Sequence, residues 1–456
     1  MSQSSSLLVL HLISDCLVKM IITENPYSGE KLGEYDEEDQ GSISSKISRL
    51  RHSQLEWARD ISTRLDALHE VKARFQARSS ELARSITLEM GKPISQAEAE
   101  VKKSIWLIDY TIQTAQEMLN PENVKTEARR SYVRFDPLGV VLLIEPWNYP
   151  VWQVMRPAVP ALAAGNAVVL KHASIVTGTS LLLEEIFGLD VFKSVVARGS
   201  AAENIIPMVD SISFTGSGQT GAKIASKAGS ELKKCVLELG GSDPFIVLDN
   251  TNIESTVAAA TDSRLQNAGQ VCISAKRFIV HDGVSKEFGE RLRDSFARVR
   301  IGNPMDPGVY LGPLSSAEQT KIVREQVSKL RDLGEVEELA HGLEGNFIPP
   351  TIANPHSEFK EEVFGPVAIV TTFSSDQEAL RLANDSPYGL GASLWGNSEH
   401  AERLVPYIEA GMVFVNKKVT SDPRLPFGGV KRSGFGRELS RYGILEFTNI
   451  KSVWVD

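Results

Sequence analysis

The sequence predicts an α/β protein built from two doubly wound α/β domains and a small β arm. Three observations carry this. From residue 140 onward, short apolar runs alternate with helical segments, and strands joined through helices form parallel sheets. The 456 residues correspond to about three domains or sub-domains at ~150 residues each, enough for large cores without disulfides or metals. A charged, β-leaning stretch over 125–135 interrupts the helical pattern and suits a solvent-exposed hairpin.

Taken in order, residues 1–22 read as an extension. Its apolar run over 7–13 is too short to span a bilayer. Residues 2–6 hold no Lys or Arg, and no Arg precedes Arg49, so neither a secretory nor a mitochondrial leader is expected. Met20 opens a more ordinary sequence and is read as an alternative start. The pattern over 43–118 is helical, with Leu55, Ala58, Ile61 and Leu65 on one face. Asn120-Pro121-Glu122-Asn123 breaks it, and the β arm follows.

Strands are then expected over 140–144, 167–170, 211–214 and 235–237, with helices over 156–164, 177–187 and 222–228 between them. A second series has strands over 245–248, 278–281, 367–373 and 413–416 and helices over 254–266 and 286–300. The expected division is 23–119 with 138–240, then 241–415, with 120–137 and 416–456 forming the arm and C-terminal segment.

Lys plus Arg number 49 and Asp plus Glu 58, a net charge of −9, which excludes the basic face of a nucleic-acid binder. No segment reaches ~18 uninterrupted apolar residues, so no membrane span is expected. The three cysteines, Cys16, Cys235 and Cys272, form no Cys-x-x-Cys pair and cannot build a disulfide framework. A reducing, cytoplasmic setting follows. No metal site is expected.

Four stretches carry chemistry. Gly216, Gly218 and Gly221 match G-x-G-x-x-G between a strand and a helix, where a helix N-terminus favours pyrophosphate. Alone the match carries little in a chain with 34 glycines. Glu238, in Leu237-Glu238-Leu239-Gly240-Gly241, has three readings: a ribose-binding acid, a buried general base, or a strand-end Glu paired with Lys233 or Lys234. Cys272 lies past a predicted helix in a Gly-containing loop, as a nucleophile or as a small buried hydrophobe. In Ile144-Glu145-Pro146-Trp147-Asn148-Tyr149-Pro150, the residues from Pro146 onward make a rigid turn at a strand's carboxyl end. There the Asn148 amide serves an oxyanion or an Asx turn.

Together and in this order, these stretches resemble the aldehyde dehydrogenase superfamily. Two further stretches add to the match: Glu361-Glu362-Val363-Phe364-Gly365-Pro366, and residues 426–438 (PFGGVKRSGFGRE). The resemblance runs from about Thr23 to the C-terminus and implies an aldehyde-dehydrogenase-like fold. It implies that Cys272 is the nucleophile, that Asn148 with the Cys272 backbone N–H forms the oxyanion hole, and that Glu238 activates the hydrolytic water. It places 23–119 and 138–240 in an NAD(P)-binding domain and 241–415 in a catalytic domain. Pro146, Trp147, Lys171, Ser174, Gly216, Ser217, Gly221, Leu239, Glu362 and Phe364 become cofactor-binding positions. The family often has Glu where this chain has Ser174, so NADP is expected to serve alongside NAD. The arm and the C-terminus resemble oligomerisation elements, implying a homodimer or homotetramer. Two segments, over 187–191 and 354–359, are shorter than in the family.

Within the family the chain is similar to bacterial-type succinate-semialdehyde dehydrogenases. The stretches that carry this are Lys171-His172-Ala173, residues 234–248 and residues 433–440. That likeness implies a cation for the substrate carboxylate at Arg156, eight residues after Asn148, with Ser421 and Arg424 as further candidates. A second Arg, six residues before the nucleophile in some of these enzymes, is Gln266 here. Competing readings are a dehydrogenase of another aldehyde, a weakly active family-like protein, and a Cys hydrolase without a nucleotide.

Overall fold

The computed structural model describes residues 20–456. Cys16 and the 7–13 run lie outside the described residues. The chain enters through a hairpin of β1 (Met20–Glu24) and β2 (Lys31–Asp36). The helical region resolves into α1 (Gln40–Trp57), α2 (Ile61–Ala77), α3 (Ser79–Met90) and α4 (Ile94–Met118). Asp39 and Asp60 cap the first two, accepting N–H groups that the first turn leaves unbonded. The Asp60 cap also corrects the expected apolar face. It starts a new helix axis, so Leu55 and Ile61 do not share a stripe. Leu55 is 63% exposed, and the buried stripe of α1 is Ile43, Ile47, Leu50 and Gln54.

A three-stranded antiparallel arm joins β3 (Glu122–Asn123), β4 (Arg130–Pro137) and β20 (Thr448–Val455). The hairpin expected over 125–135 is therefore mostly a pairing of β4 with the far end of the chain. The first large sheet contains β5 (Val140–Glu145), β6 (Ala167–His172), β7 (Phe192–Ser194), β8 (Ser211–Thr215) and β9 (Lys234–Glu238), in the order β9-β8-β5-β6-β7, all parallel. Every residue of β5 is buried, as befits a strand covered on both faces. The chain winds from β5 outward through β6 and β7, then returns to β8 on the other side. The strand order thus reverses at β5, and such a switch point opens a crevice at the carboxyl ends. Helices α5 (Trp152–Ala163), α6 (Thr177–Phe187) and α7 (Gly218–Ser230) connect these strands.

The second large sheet has seven strands. They are β10 (Asp243–Val247), β11 (Ala275–His281), β12 (Gly334–Glu338), β13 (Thr351–Pro355), β14 (Val367–Phe373), β16 (Gly391–Trp395) and β17 (Met412–Val415), in the order β12-β13-β14-β11-β10-β16-β17. Helix α8 (Ile253–Leu265) leads from β10 to the Cys272 loop. A short ladder pairs β15 (Tyr388–Gly389) with β18 (Val430–Lys431). The chain then crosses back, and β19 (Gly434–Phe435) joins β9 antiparallel, closing the edge of the first sheet. Gly434 has φ 112°, and a Cβ there would lie 1.9 Å from the Leu237 carbonyl oxygen, so this crossing requires glycine. Among the described residues no helix is long and apolar enough to cross a membrane.

The assigned face of α1 is directly testable by chemical denaturation. Leu50→Ala should cost about 2–5 kcal/mol, whereas Leu55→Glu should stay within about 0.5 kcal/mol of the parent. Equal losses would overturn the assignment.

Candidate active site

The turn after β5 is held from two sides. On β6, the buried His172 ring donates from Nε2 to the Pro150 carbonyl at 2.8 Å and accepts at Nδ1 from the Ala173 N–H at 2.9 Å. Burial drives its pKa down to about 4, keeping the ring neutral for this double role. From α4, the Glu100 carboxylate accepts the backbone N–H groups of Val151 and Trp152, both at 2.9 Å. Lys92 pairs with the other Glu100 oxygen and lies 3.5 Å from the Tyr149 ring centroid. Asn148 is thereby fixed and buried. Its Nδ2 donates to the Gln270 carbonyl at 3.0 Å, and its own carbonyl accepts from Asn267 Nδ2 at 2.8 Å.

Those bonds tie Asn148 to the loop that carries Cys272. Asn267, Ala268 and Gly269 are consecutive left-handed residues, with φ of 52°, 52° and 74°. Such a run is strained for Asn and Ala. It persists because neighbours over-determine it. The buried Arg264 guanidinium donates to the carbonyls of Gly269 at 2.6 Å and Ala275 at 3.1 Å, while Gln96 accepts from the Asn267 N–H at 2.7 Å. The Lys276 ammonium gathers the carbonyls of Val271 at 2.9 Å and Cys272 at 2.7 Å. The Cys272 backbone N–H donates to no acceptor among the described residues. Burial pushes the Cys272 thiol up to about 11, against the pull of Arg156 and Lys276, so the resting thiol is neutral.

Glu238 ends β9, and neither carboxylate oxygen has a hydrogen-bond partner. Gly428 presses against it: a Cβ there would lie 2.6 Å from Oε1. Lys234 pairs instead with Glu446 at 3.0 Å, so Glu238 is not a strand-end ion pair. Burial, and then the charge of Glu438, hold Glu238 well above the usual carboxylate range. Glu145 ends β5 in the same buried setting, again with both oxygens unpartnered, and its pKa is raised by burial and by Glu438. Glu438 accepts from Ser213 Oγ at 3.2 Å and lies 2.7 Å from Arg156 Nε. Three buried carboxylates thus surround one guanidinium. Burial and their mutual repulsion disfavour ionisation of all three together. Glu145 and Glu438 were not singled out from the sequence, although both lie inside stretches quoted for other residues.

On the other side of the crevice, Ser217 caps α7, accepting the Thr220 N–H at 3.3 Å, and the helix N-terminus is open to solvent there. Gly216 lies under the Phe214 ring, and Gly221 lets α7 close on Leu239, where a Cβ would be 2.4 Å from Cδ2. The Lys171 ammonium forms no ion pair among the described residues, and burial lowers its pKa to about 8 against the pull of Glu37. Ser174 opens the short turn after β6. Trp147 and Phe364 meet edge to face at 5.8 Å, beside the half-buried Pro146. Glu362 accepts from the Gly241 N–H at 3.1 Å and lies 3.3 Å from Lys276. An open helix N-terminus, an ammonium without an acid, and an aromatic wall fit a dinucleotide.

A cavity of about 150 Å³ reaches Cys272; Arg156, Trp152, Ser421, Phe427 and Lys103 line it. Arg156 stacks 4.3 Å from the Phe427 ring centroid, and its Nη2 has no hydrogen-bond partner. Ser421 is buried in the wall. Arg424 is placed otherwise than expected: it is exposed, outside the cavity lining, and gripped by both oxygens of Asp422 at 2.9 and 2.7 Å. A neighbouring acid two residues away captures it. Lys103 was missed, because on a charged helix its spacing does not separate it from solvated lysines.

The chain belongs to the aldehyde dehydrogenase family, whose model matches residues 14–453. It is 41% identical over 453 residues to a succinate semialdehyde dehydrogenase [NAD(P)+] of Escherichia coli, covering 95% of this chain and 98% of that one. A succinate-semialdehyde dehydrogenase [NADP(+)] of Deinococcus radiodurans is 41% identical over 448 residues, 94% of each chain. The crystal structure of succinic semialdehyde dehydrogenase from Streptococcus pyogenes in complex with NADP+ superposes with a TM-score of 0.92 at 36% identity, covering 95% of this chain and 99% of that one.

The raised thiol pKa has a direct readout. Iodoacetamide alkylation of Cys272 in the free enzyme should still be accelerating between pH 8 and about 10, with Cys272→Ala as the blank. A rate already level by pH 8 would mean that the thiol ionises freely.

Proposed function

We propose that this protein oxidises succinate semialdehyde to succinate with NADP or NAD, through a thioester on Cys272. The observation that carries the proposal is one buried cavity in which a thiol and the partly unpartnered guanidinium of Arg156 face the same space. The printed activities of the relatives support the same substrate and cofactors.

The residues divide the work as follows. The Cys272 thiol gives up its proton to solvent, and the resulting thiolate adds to the aldehyde carbon. The negative oxygen that results is met by the Cys272 backbone N–H and by the second Nδ2 hydrogen of Asn148, whose first is committed to Gln270. A nicotinamide dinucleotide, bound by Ser217, Gly216, Gly221 and Lys171 and against Pro146, Trp147, Leu239, Glu362 and Phe364, supplies the hydride acceptor. Glu238 then takes a proton from water as its oxygen adds to the thioester carbon, and the C–S bond breaks to release the acid. Arg156 and Ser421 bind the distal carboxylate. With Ser174 in place of an acid, no carboxylate at that position opposes a 2′-phosphate, which favours use of NADP. The unpaired cysteines Cys235 and Cys272 support a reducing, cytoplasmic setting. The exposed Ile450 and Trp454 on β20 support assembly of the arm into a dimer or tetramer.

Replacing Glu238 with Gln should leave the pre-steady-state burst of reduced cofactor and slow the steady state by roughly 10²–10⁴-fold. Loss of the burst as well would remove Glu238 from the hydrolytic step. In the wild type, a base held above the usual carboxylate range works only after losing its proton. The steady-state rate should therefore climb with pH beyond that range, and a profile flat from pH 5 would count against the role. Steady-state kinetics with both cofactors check the other half: NADP should support turnover, and turnover with NAD alone would refute its proposed use.

A further inference from the structure

We propose that Lys103 is a specificity-determining residue whose ammonium binds the carboxylate of the semialdehyde. This rests on the reading above that the substrate carries a carboxylate.

Three cations line the cavity: Arg156, Lys418 and Lys103. Two already have acids. Arg156 lies 2.7 Å from Glu438, and Lys418 pairs with Asp262 and also contacts Gln266 Oε1 at 3.3 Å. Lys103 has no carboxylate within ion-pair distance among the described residues. Its one hydrogen bond goes to Ser421 Oγ at 2.6 Å, and its ammonium stands 4.6 Å from the Trp152 ring centroid. Holding an ammonium there costs stability, because it is largely desolvated and faces Arg156 and Lys418, with Asp422 and Glu100 opposing them from beyond ion-pair distance. An anion that arrives with the substrate offsets that cost.

The donor geometry converges on the same place. Ser421 Oγ accepts from Lys103 and also from Trp152 Nε1 at 3.1 Å. Both acceptor sites of the hydroxyl are filled, so its own O–H is free to donate. Arg156 lies one turn beyond Trp152 on α5 and offers an unpartnered Nη2. The remaining ammonium hydrogens, the Ser421 hydroxyl and the Arg156 Nη2 form a donor set for two carboxylate oxygens. Arg156 already has an acid at ion-pair distance in Glu438, and Lys103 has none. Lys103 is therefore the cation that distinguishes an anionic aldehyde from a neutral one.

The test compares succinate semialdehyde with butanal, a neutral aldehyde of the same chain length. Lys103→Met should raise KM for succinate semialdehyde about 10- to 100-fold, the value of one charged hydrogen bond, and leave kcat/KM for butanal within about 3-fold. Lys103→Arg should recover most of the loss. Succinate, which has carboxylates but no aldehyde, should slow iodoacetamide labelling of Cys272 in the wild type and not in Lys103→Met. An equal effect on both aldehydes, or unchanged protection by succinate, would overturn the role of Lys103 alone. A wild type that does not prefer succinate semialdehyde to butanal would overturn the substrate reading, and this assignment with it. If Lys103→Met fails to fold, Lys103→Gln carries the same comparison.

Discussion

The active site depends on one buried positive charge, the guanidinium of Arg156. Its Nε lies against Glu438, its plane packs on Phe427, and its remaining edge opens on the cavity that holds Cys272. The same charge opposes the burial that raises the pKa of Cys272, of Glu238 and of Glu145. A planar ion with five donors can serve several acids at once, and a lysine ammonium could not span them. Removing it would strand Glu438 without a counter-ion, a cost far above that of one lost contact. Arg156 is therefore structural and functional together.

Placing that charge takes pieces far apart in the chain. Arg156 comes from α5, Cys272 from the loop after α8, and Glu438 from the crossover that returns to β9. The crossover is possible because Gly434 can pass against the Leu237 carbonyl and Gly428 against the Glu238 carboxylate. Any side chain at either point would push the C-terminal segment off the sheet edge and uncover the base. The burial that raises the Glu238 pKa is thus built by residues about two hundred positions downstream.

This explains how much was legible in the sequence. The alternation from β5 to β9 was plain, because fully buried parallel strands are short apolar runs and the turns between them are marked. The Cys272 loop and the Asn148 turn were legible as motifs. The left-handed run at Asn267 and Ala268 was not, because nothing local asks for it and Arg264, Gln96 and Asn148 impose it from elsewhere. The arm was half legible: β4 showed its charge pattern, but its partner β20 is at the other end of the chain. The helical face around Leu55 was misplaced because a single cap at Asp60 breaks the register. Arg424 and Lys103 show the same limit from two sides. The sequence shows both as cations, and only packing separates the one gripped by Asp422 from the one that lines the cavity.

The carboxylate cluster also changes what a base means in this site. Glu145, Thr215 and Glu238 end adjacent strands, and Glu438 reaches the same buried patch through Ser213. Arg156 faces all three acids and Arg437 acts on Glu238 as well, so two guanidinium groups meet three buried carboxylates and full ionisation is disfavoured. The titrations of the three acids are therefore linked, and the ionisation of Glu238 depends on that of Glu145 and Glu438. A proton taken by Glu238 raises the attraction of Arg156 for the acids that remain ionised. Ionisation of Glu145 or Glu438 raises the basicity of Glu238. Base strength is set by how many charges the Arg156 pocket already holds, and the C-terminal crossover controls that number by keeping water out.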